Sequence, residues 1–133
     1  PGLTRAAKLQ KRAAYVGFDW SEVRLIIGKV EEEIAELKAA IAESEPQVRI
    51  AYEFGDVAFV LANVARHLGI DPEAALRVTN AKFMRRFGSI EAALAAQGRG
   101  PQDADLDEMD RLWNAAKLEE RAAKQDGLGG KNE

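Results

Sequence analysis

Between Val23 and Leu68 the apolar residues recur at steps of three and four, and the rhythm breaks only around "ESEP", residues 43–46. Val23, Ile26, Ile27, Val30, Ile34, Leu37 and Ile41 form one stripe; Ile50, Phe54, Val57, Leu61, Val64 and Leu68 form the next. Such spacing puts one apolar face on each of two helices and is incompatible with strands, whose period is two. Pro46 suits the first turn of a new helix better than a helix interior. The break is only a few residues long, so the two helices must run antiparallel as a hairpin.

The remaining segments also read as helical. Leu3 to about Tyr15 suits a short basic helix closed by "GFDW", and Asp19 with Glu22 resembles a capping box opening the first long helix. The second long helix stops at Gly69, and Asp71 then caps a third helix with Pro72 at its first position. That helix turns Leu76, Thr79, Phe83 and Phe87 toward the core and is expected to close at Gly88. A short helix from Ser89, the loop "QGRGPQDAD" and a last helix through Met109, Leu112 and Trp113 follow. No strand or repeat is expected. The fold class is therefore all-α: one domain over 1–122 and a polar, Gly-rich flexible tail over 123–133.

Composition narrows the function classes. A net charge of −3 disfavours a nucleic-acid-binding surface. There is no cysteine, which excludes thiolate nucleophiles and Cys-bound zinc and is compatible with a reducing, cytoplasmic setting. A single histidine leaves little for a His-based zinc site or a catalytic triad. No apolar run reaches membrane-span length and no signal-peptide pattern opens the chain. No membrane partner is expected. The chain starts on Pro1 rather than Met, as a piece of a longer protein would.

The polar residues of the hairpin carry the chemistry. With about 100° per residue and Val30 at the stripe's centre, Glu33 lies about 60° and Glu36 about 120° to one side, while Glu32 points away. Measured from Val57, Glu53 lies about 40° and Asp56 about 100° to a side of the same rotational sense. In an antiparallel pair those flanks meet on one rim. Glu33 and Asp56 are equidistant from the turn, as are Glu36 and Glu53, so each pair stands at matched height. An acidic patch on one helix is ordinarily a solvated face. Four carboxylates on a shared rim instead repel one another unless a cation joins them, and oxygen-only donors suit Mg²⁺ or Mn²⁺ before zinc.

"EEIAE" followed by "EFGD" resembles the EExxE…ExxD signature of the MazG-type all-α nucleoside triphosphate pyrophosphohydrolases. The likeness continues in "KLQKRAAYVGFDW", "NVARHLGIDPEAAL", "TNAKFMRRF" and "MDRLWNAAK", and so covers about residues 3–120. It is strongest to the MazG C-terminal catalytic domain. The signature alone is shared with dimeric dUTPases and phosphoribosyl-ATP pyrophosphohydrolases, and Tyr15 departs from the basic or small polar residue of many relatives.

The resemblance implies a helical-hairpin bundle completed by homodimerisation, acting on a nucleoside triphosphate. It implies Mg²⁺ (or Mn²⁺) held by Glu33, Glu36, Glu53 and Asp56, with Lys82 and Arg86 as phosphate-binding residues and Trp113 as a nucleotide contact; Asn80, by its own place close to the apolar stripe, fits a substrate contact. On their own, Lys82 and Arg86 also fit a solvated basic face, and Trp113 fits a core position. Asn80 fits a cap on a buried carbonyl equally well, and His67 reads as structural or interfacial. The expected reaction is hydrolysis of the triphosphate to monophosphate and pyrophosphate. Its rivals are a narrower dUTPase-like or modified-nucleotide pyrophosphatase, and a non-catalytic helical dimerisation module.

Overall fold

The computed structural model describes residues 1–129 and contains five α-helices. They are α1 (Gly2–Ala14), α2 (Val23–Ala42), α3 (Gln47–His67), α4 (Pro72–Ala95) and α5 (Leu106–Gly129), with a 3-10 turn at Pro101–Asp103. No strand occurs among the described residues. The all-α expectation holds. The chain forms two compact units, Pro1–Arg77 and Val78–Glu133, whose boundary falls inside α4. Of the tail expected from residue 123, α5 takes in the part up to Gly129, and residues 130–133 lie outside the described residues.

In the first unit α3 packs against both α2 and α1. The α2–α3 turn closes because Ser44 takes the left-handed conformation (φ 53°), while Glu45 N donates to Ala40 O and Ser44 N to Ile41 O. Gly69 (φ 69°) ends α3 in the same way, with Ile70 N donating to Ala65 O. Asp71 caps α4 as expected, its Oδ1 accepting from the N–H groups of Glu73 and Ala74. In the same unit, Leu3 N donates to Glu73 Oε1 and Gln10 Nε2 to Phe59 O, tying α1 down.

Three expectations are corrected. Asp19 does not cap α2: Glu22 occupies that place without a side-chain cap, and the Asp19 carboxylate is drawn to Arg66 and His67 of α3 instead. α4 does not close at Gly88 but continues to Ala95, so no separate helix starts at Ser89. A glycine tolerates helical dihedrals, and Ser89 Oγ turns back to donate to Arg85 O. Leu76, Thr79 and Phe83 are exposed rather than buried, and Phe87 is only partly covered.

The same holds for much of the hairpin. Ile26 and Val30 are buried, with Ala40 and Ala62, but Ile27, Ile34 and Ile41 of α2 and Phe54, Leu61 and Leu68 of α3 remain exposed. Each stripe is thus wider than the packing within this chain consumes. In the second unit the buried apolar residues are Ile90, Leu94 and Ala116.

The two glycines give opposite predictions. A Cβ at Gly88 meets nothing within 4 Å, and its backbone does not have positive φ, so Gly88→Ala should stabilise the protein by about 0.5–1 kcal/mol. Gly69→Ala forces a side chain into the left-handed region and should destabilise it by about 1–2 kcal/mol. Urea unfolding of both variants checks this. A destabilising Gly88→Ala would restore a helix end at that position.

Candidate active site

Helical spacing stacks Lys29, Glu33 and Glu36 along α2, and Arg49, Glu53 and Asp56 along α3. The packing of α2 on α3 then brings one carboxylate oxygen each of Glu33, Glu53 and Asp56 within 4.8 Å of one another. Glu33 and Glu53 are only 7% and 8% exposed, a rare condition for an acid. Their Oε1 atoms face cations four residues upstream: Glu33 meets Lys29 Nζ at 3.2 Å and Glu53 meets Arg49 Nη2 at 3.6 Å. Their Oε2 atoms are sealed from solvent and have no hydrogen-bond partner.

A buried carboxylate oxygen without a donor is costly, and two of them beside a third acid are more so. Glu36 stands at the exposed edge of this group. Its carboxyl is pushed above the usual range, first by the charge of Glu33, then by a hydrogen bond with Glu33, by desolvation and by Glu53. Lys29 is pushed up in turn, chiefly by its hydrogen bond to Glu33. The donor set is all oxygen, anionic and short of positive charge. It fits a hard divalent cation, with the buried Oε2 atoms as the lone pairs left for it.

Glu33, Glu53 and Asp56 therefore come together as the helical wheel requires, with Glu36 beside them and outside the closest group. Glu32 points to solvent and pairs with Lys29 at 3.3 Å. Lys29 and Arg49 join the site without having been among the sequence candidates. Each precedes a buried glutamate by four residues, the spacing of a helical ion pair and a signal legible in the sequence.

The other expected residues belong to the second unit. Arg86 donates to Glu120 through Nη2 (3.1 Å) and Nε (3.3 Å), and its guanidinium lies 5.3 Å from the ring centre of Trp113. Trp113 also meets Phe83 at 5.7 Å in a tilted arrangement. Both residues are thus engaged in packing within that unit. The Arg86 guanidinium holds the Glu120 carboxyl below its usual range. Lys82 is partly buried and Asn80 exposed, and neither has an ion pair or side-chain hydrogen bond among the described residues.

A cavity of about 610 Å³ adjoins the carboxylates in the first unit, with Glu33, Lys29 and Asp56 in its wall. Phe18, Trp20 and Phe59 supply aromatic surface, and Asp19, Asn63 and Arg66 supply polar groups. Arg66 Nη2 donates to Asp19 Oδ1 at 2.5 Å, and His67 Nε2 meets the same oxygen at 2.8 Å. These contacts, the His67 bond first, lower the Asp19 carboxyl to about 2 against the opposing effect of burial. His67 thus joins α3 to the loop that precedes α2.

The chain is similar in sequence to known proteins. The family pattern described as phosphoribosyl-ATP pyrophosphohydrolase matches residues 4–83. The chain is 41% identical over 121 residues to the nucleoside triphosphate pyrophosphohydrolase of Escherichia coli (strain K12), covering 90% of this chain and 46% of that protein. It is 37% identical over 117 residues to the nucleoside triphosphate pyrophosphohydrolase/pyrophosphatase MazG of Thermotoga maritima, covering 88% of this chain and 44% of that protein. An uncharacterised Bacillus subtilis protein, YabN, is 49% identical over 121 residues, 91% of this chain and 25% of its own length. The chain spans at most about half the length of these curated relatives.

The unpaired oxygens predict how the site responds to charge. Mg²⁺ should raise the melting temperature of the wild-type protein by mass action. Glu33→Gln keeps the shape and removes one charge, so its metal-free melting temperature should hold or rise while the Mg²⁺-dependent increase disappears. Glu32→Gln should retain that increase, because Glu32 lies outside the cluster. Calorimetric melting with and without MgCl₂ reads all three; an intact Mg²⁺ response in Glu33→Gln would remove Glu33 from the ligands.

Proposed function

Because this chain belongs to the phosphoribosyl-ATP pyrophosphohydrolase family, among MazG-type relatives, we propose that it hydrolyses nucleoside triphosphates to monophosphate and pyrophosphate with Mg²⁺. The observation that supports this best is the pair of sealed, partnerless oxygens of Glu33 and Glu53 converging with Asp56 beside an open cavity. Glu33, Glu53 and Asp56 would hold the cation, with Glu36 at the rim. When bound, Mg²⁺ supplies positive charge for the triphosphate and makes water more acidic for attack at the α-phosphorus.

The chain's own residues do the rest. Lys29 and Arg49 lean on Glu33 and Glu53, so they are the nearest cations for phosphate oxygens once those carboxylates are otherwise engaged. Glu36, at the exposed edge of the carboxylate group, is placed to take the proton of the attacking water. Lys82 is a free cation among the described residues and is proposed to meet the phosphates, with Asn80 nearby. Arg86 joins it only by exchanging its bond to Glu120, and Trp113 contacts the nucleotide only beside its packing on Phe83. We assign the work to nucleotide-pool housekeeping in the cytoplasm, as the absence of cysteine is compatible with a reducing compartment. Separately, no described helix is long and apolar enough to cross a membrane.

We further propose a homodimer. The exposed Ile27, Ile34, Phe54 and Leu61 place large apolar surface on both helices of the hairpin, and a two-fold partner would cover it with the same residues. Sedimentation should give twice the chain mass at micromolar concentration, and Leu61→Glu should shift it toward the monomer. A wild-type monomer at every concentration would contradict the dimer.

Product analysis tests the activity. Purified protein with MgCl₂ and each triphosphate in ¹⁸O water should release pyrophosphate, with the label in the monophosphate. Excess EDTA should abolish turnover. Diphosphate and inorganic phosphate as products, or full activity in EDTA, would exclude this reading.

A further inference from the structure

Asn63 is 6% exposed and lines the cavity that also touches Glu33 and Asp56. A primary amide has an acceptor end and a donor end, and fixing one fixes the other. Arg66 Nε lies 2.9 Å from the amide and can only donate, so the atom facing it is Oδ1. Arg66 is itself anchored, donating through Nη2 to Asp19, whose oxygen also meets His67 Nε2. Asp19 stays an ionised acceptor because its carboxyl titrates at about 2. The amide therefore cannot flip without breaking this series of bonds. Its NH₂ makes no hydrogen bond among the described residues and is not one of the sealed unpaired atoms, so it is a solvent-reached donor on a residue that lines the cavity.

We propose that this cavity holds the nucleobase, and that the Asn63 NH₂ donates to a carbonyl oxygen of the base, selecting oxo-bases over their amino counterparts. Asp19 and Arg66 are then positioning residues that set the polarity of the amide. The proposal rests on the triphosphate reading above. A volume of about 610 Å³ falls within the range of small-molecule sites, about 300–1,000 Å³, and accommodates a base and its sugar. Phe18, Trp20 and Phe59 offer faces on which any base can stack, so they carry affinity without choice. The choice falls to the fixed donor. Facing a carbonyl oxygen it gains a bond; facing an exocyclic amine it sets two donors against each other and leaves both unpaired. This assigns the base to the first unit's cavity rather than to Trp113, which packs with Phe83 and Arg86.

Two substrate pairs isolate the edge. Inosine and adenosine triphosphates differ in the purine six-substituent, and uridine and cytidine triphosphates in the pyrimidine four-substituent. With Mg²⁺, wild-type kcat/KM should favour the oxo member of each pair by about tenfold or more. Calorimetric Kd values for inosine and adenosine monophosphates should show the same order without turnover. Asn63→Asp keeps an oxygen toward Arg66 and turns the cavity-facing donor into an acceptor, so it should reverse the preference. Asn63→Leu, which serves if the Asp variant does not fold, should bring both ratios to about one. Arg66→Met should lower the ratios by raising KM for the oxo substrates with kcat unchanged. Wild-type ratios within about twofold, or an unchanged preference in Asn63→Asp, overturn this inference while leaving the activity intact. If no triphosphate is hydrolysed, the activity reading fails instead, and the monophosphate Kd values alone decide the role of Asn63.

Discussion

The carboxylates of Glu33 and Glu53 face each other across the α2–α3 hairpin, out of water and with an oxygen each unpaired. Few arrangements in a helical pair are less favourable on their own. Desolvation of an ion costs several kcal/mol, and like charges add to it. Leucine or isoleucine at either position would extend the apolar stripe at no such cost. The hairpin is thus organised around a charge that its own residues do not balance, with Lys29 and Arg49 offsetting only the outward oxygens. A divalent cation held by Glu33, Glu53 and Asp56, as proposed above, would supply what is missing.

The rest of the first unit serves this point. Schellman-type closures at Ser44 and Gly69 fix where α2 and α3 stop, which sets the register that brings Glu33 level with Asp56. The loop before α2 is held by Asp19 against Arg66 and His67, so its aromatic residues border the cavity next to the carboxylates. The outward apolar residues of the same two helices are left over from this packing. They are the surface on which the proposed homodimer rests.

Much of this was legible before any coordinates. A 3.6-residue period, a short break and a pair of acidic signatures suffice to bring Glu33, Glu53 and Asp56 to one rim, because helix rotation and height follow from counting. What counting misses is competition between partners. Asp19 has the spacing of a cap, but its Oδ1 accepts from the Arg66 guanidinium and Trp20 N and meets the His67 imidazole, rather than capping the first turn of α2. Gly88 looks like a helix end because glycine often is one; the uninterrupted helix shows that flanking residues carry it through. Leu76 and Phe83 have core spacing, yet periodicity reports an apolar face without saying whether this chain covers it. Arg86 and Trp113 fall in the same class: their chemistry was readable, but their mutual packing with Glu120 and Phe83 was not. The cavity amide was beyond reach, since its polarity depends on a chain of contacts from Asp19 to Asn63.

The central claim is that the buried carboxylates form a divalent-cation site, and anomalous diffraction from crystals grown with Mn²⁺ tests it most directly. The account predicts an anomalous peak about 2.0–2.3 Å from oxygens of Glu33, Glu53 and Asp56, including the Oε2 atoms that have no partner in the protein. A map without a peak there at saturating Mn²⁺, with the same carboxylates still buried, would contradict it.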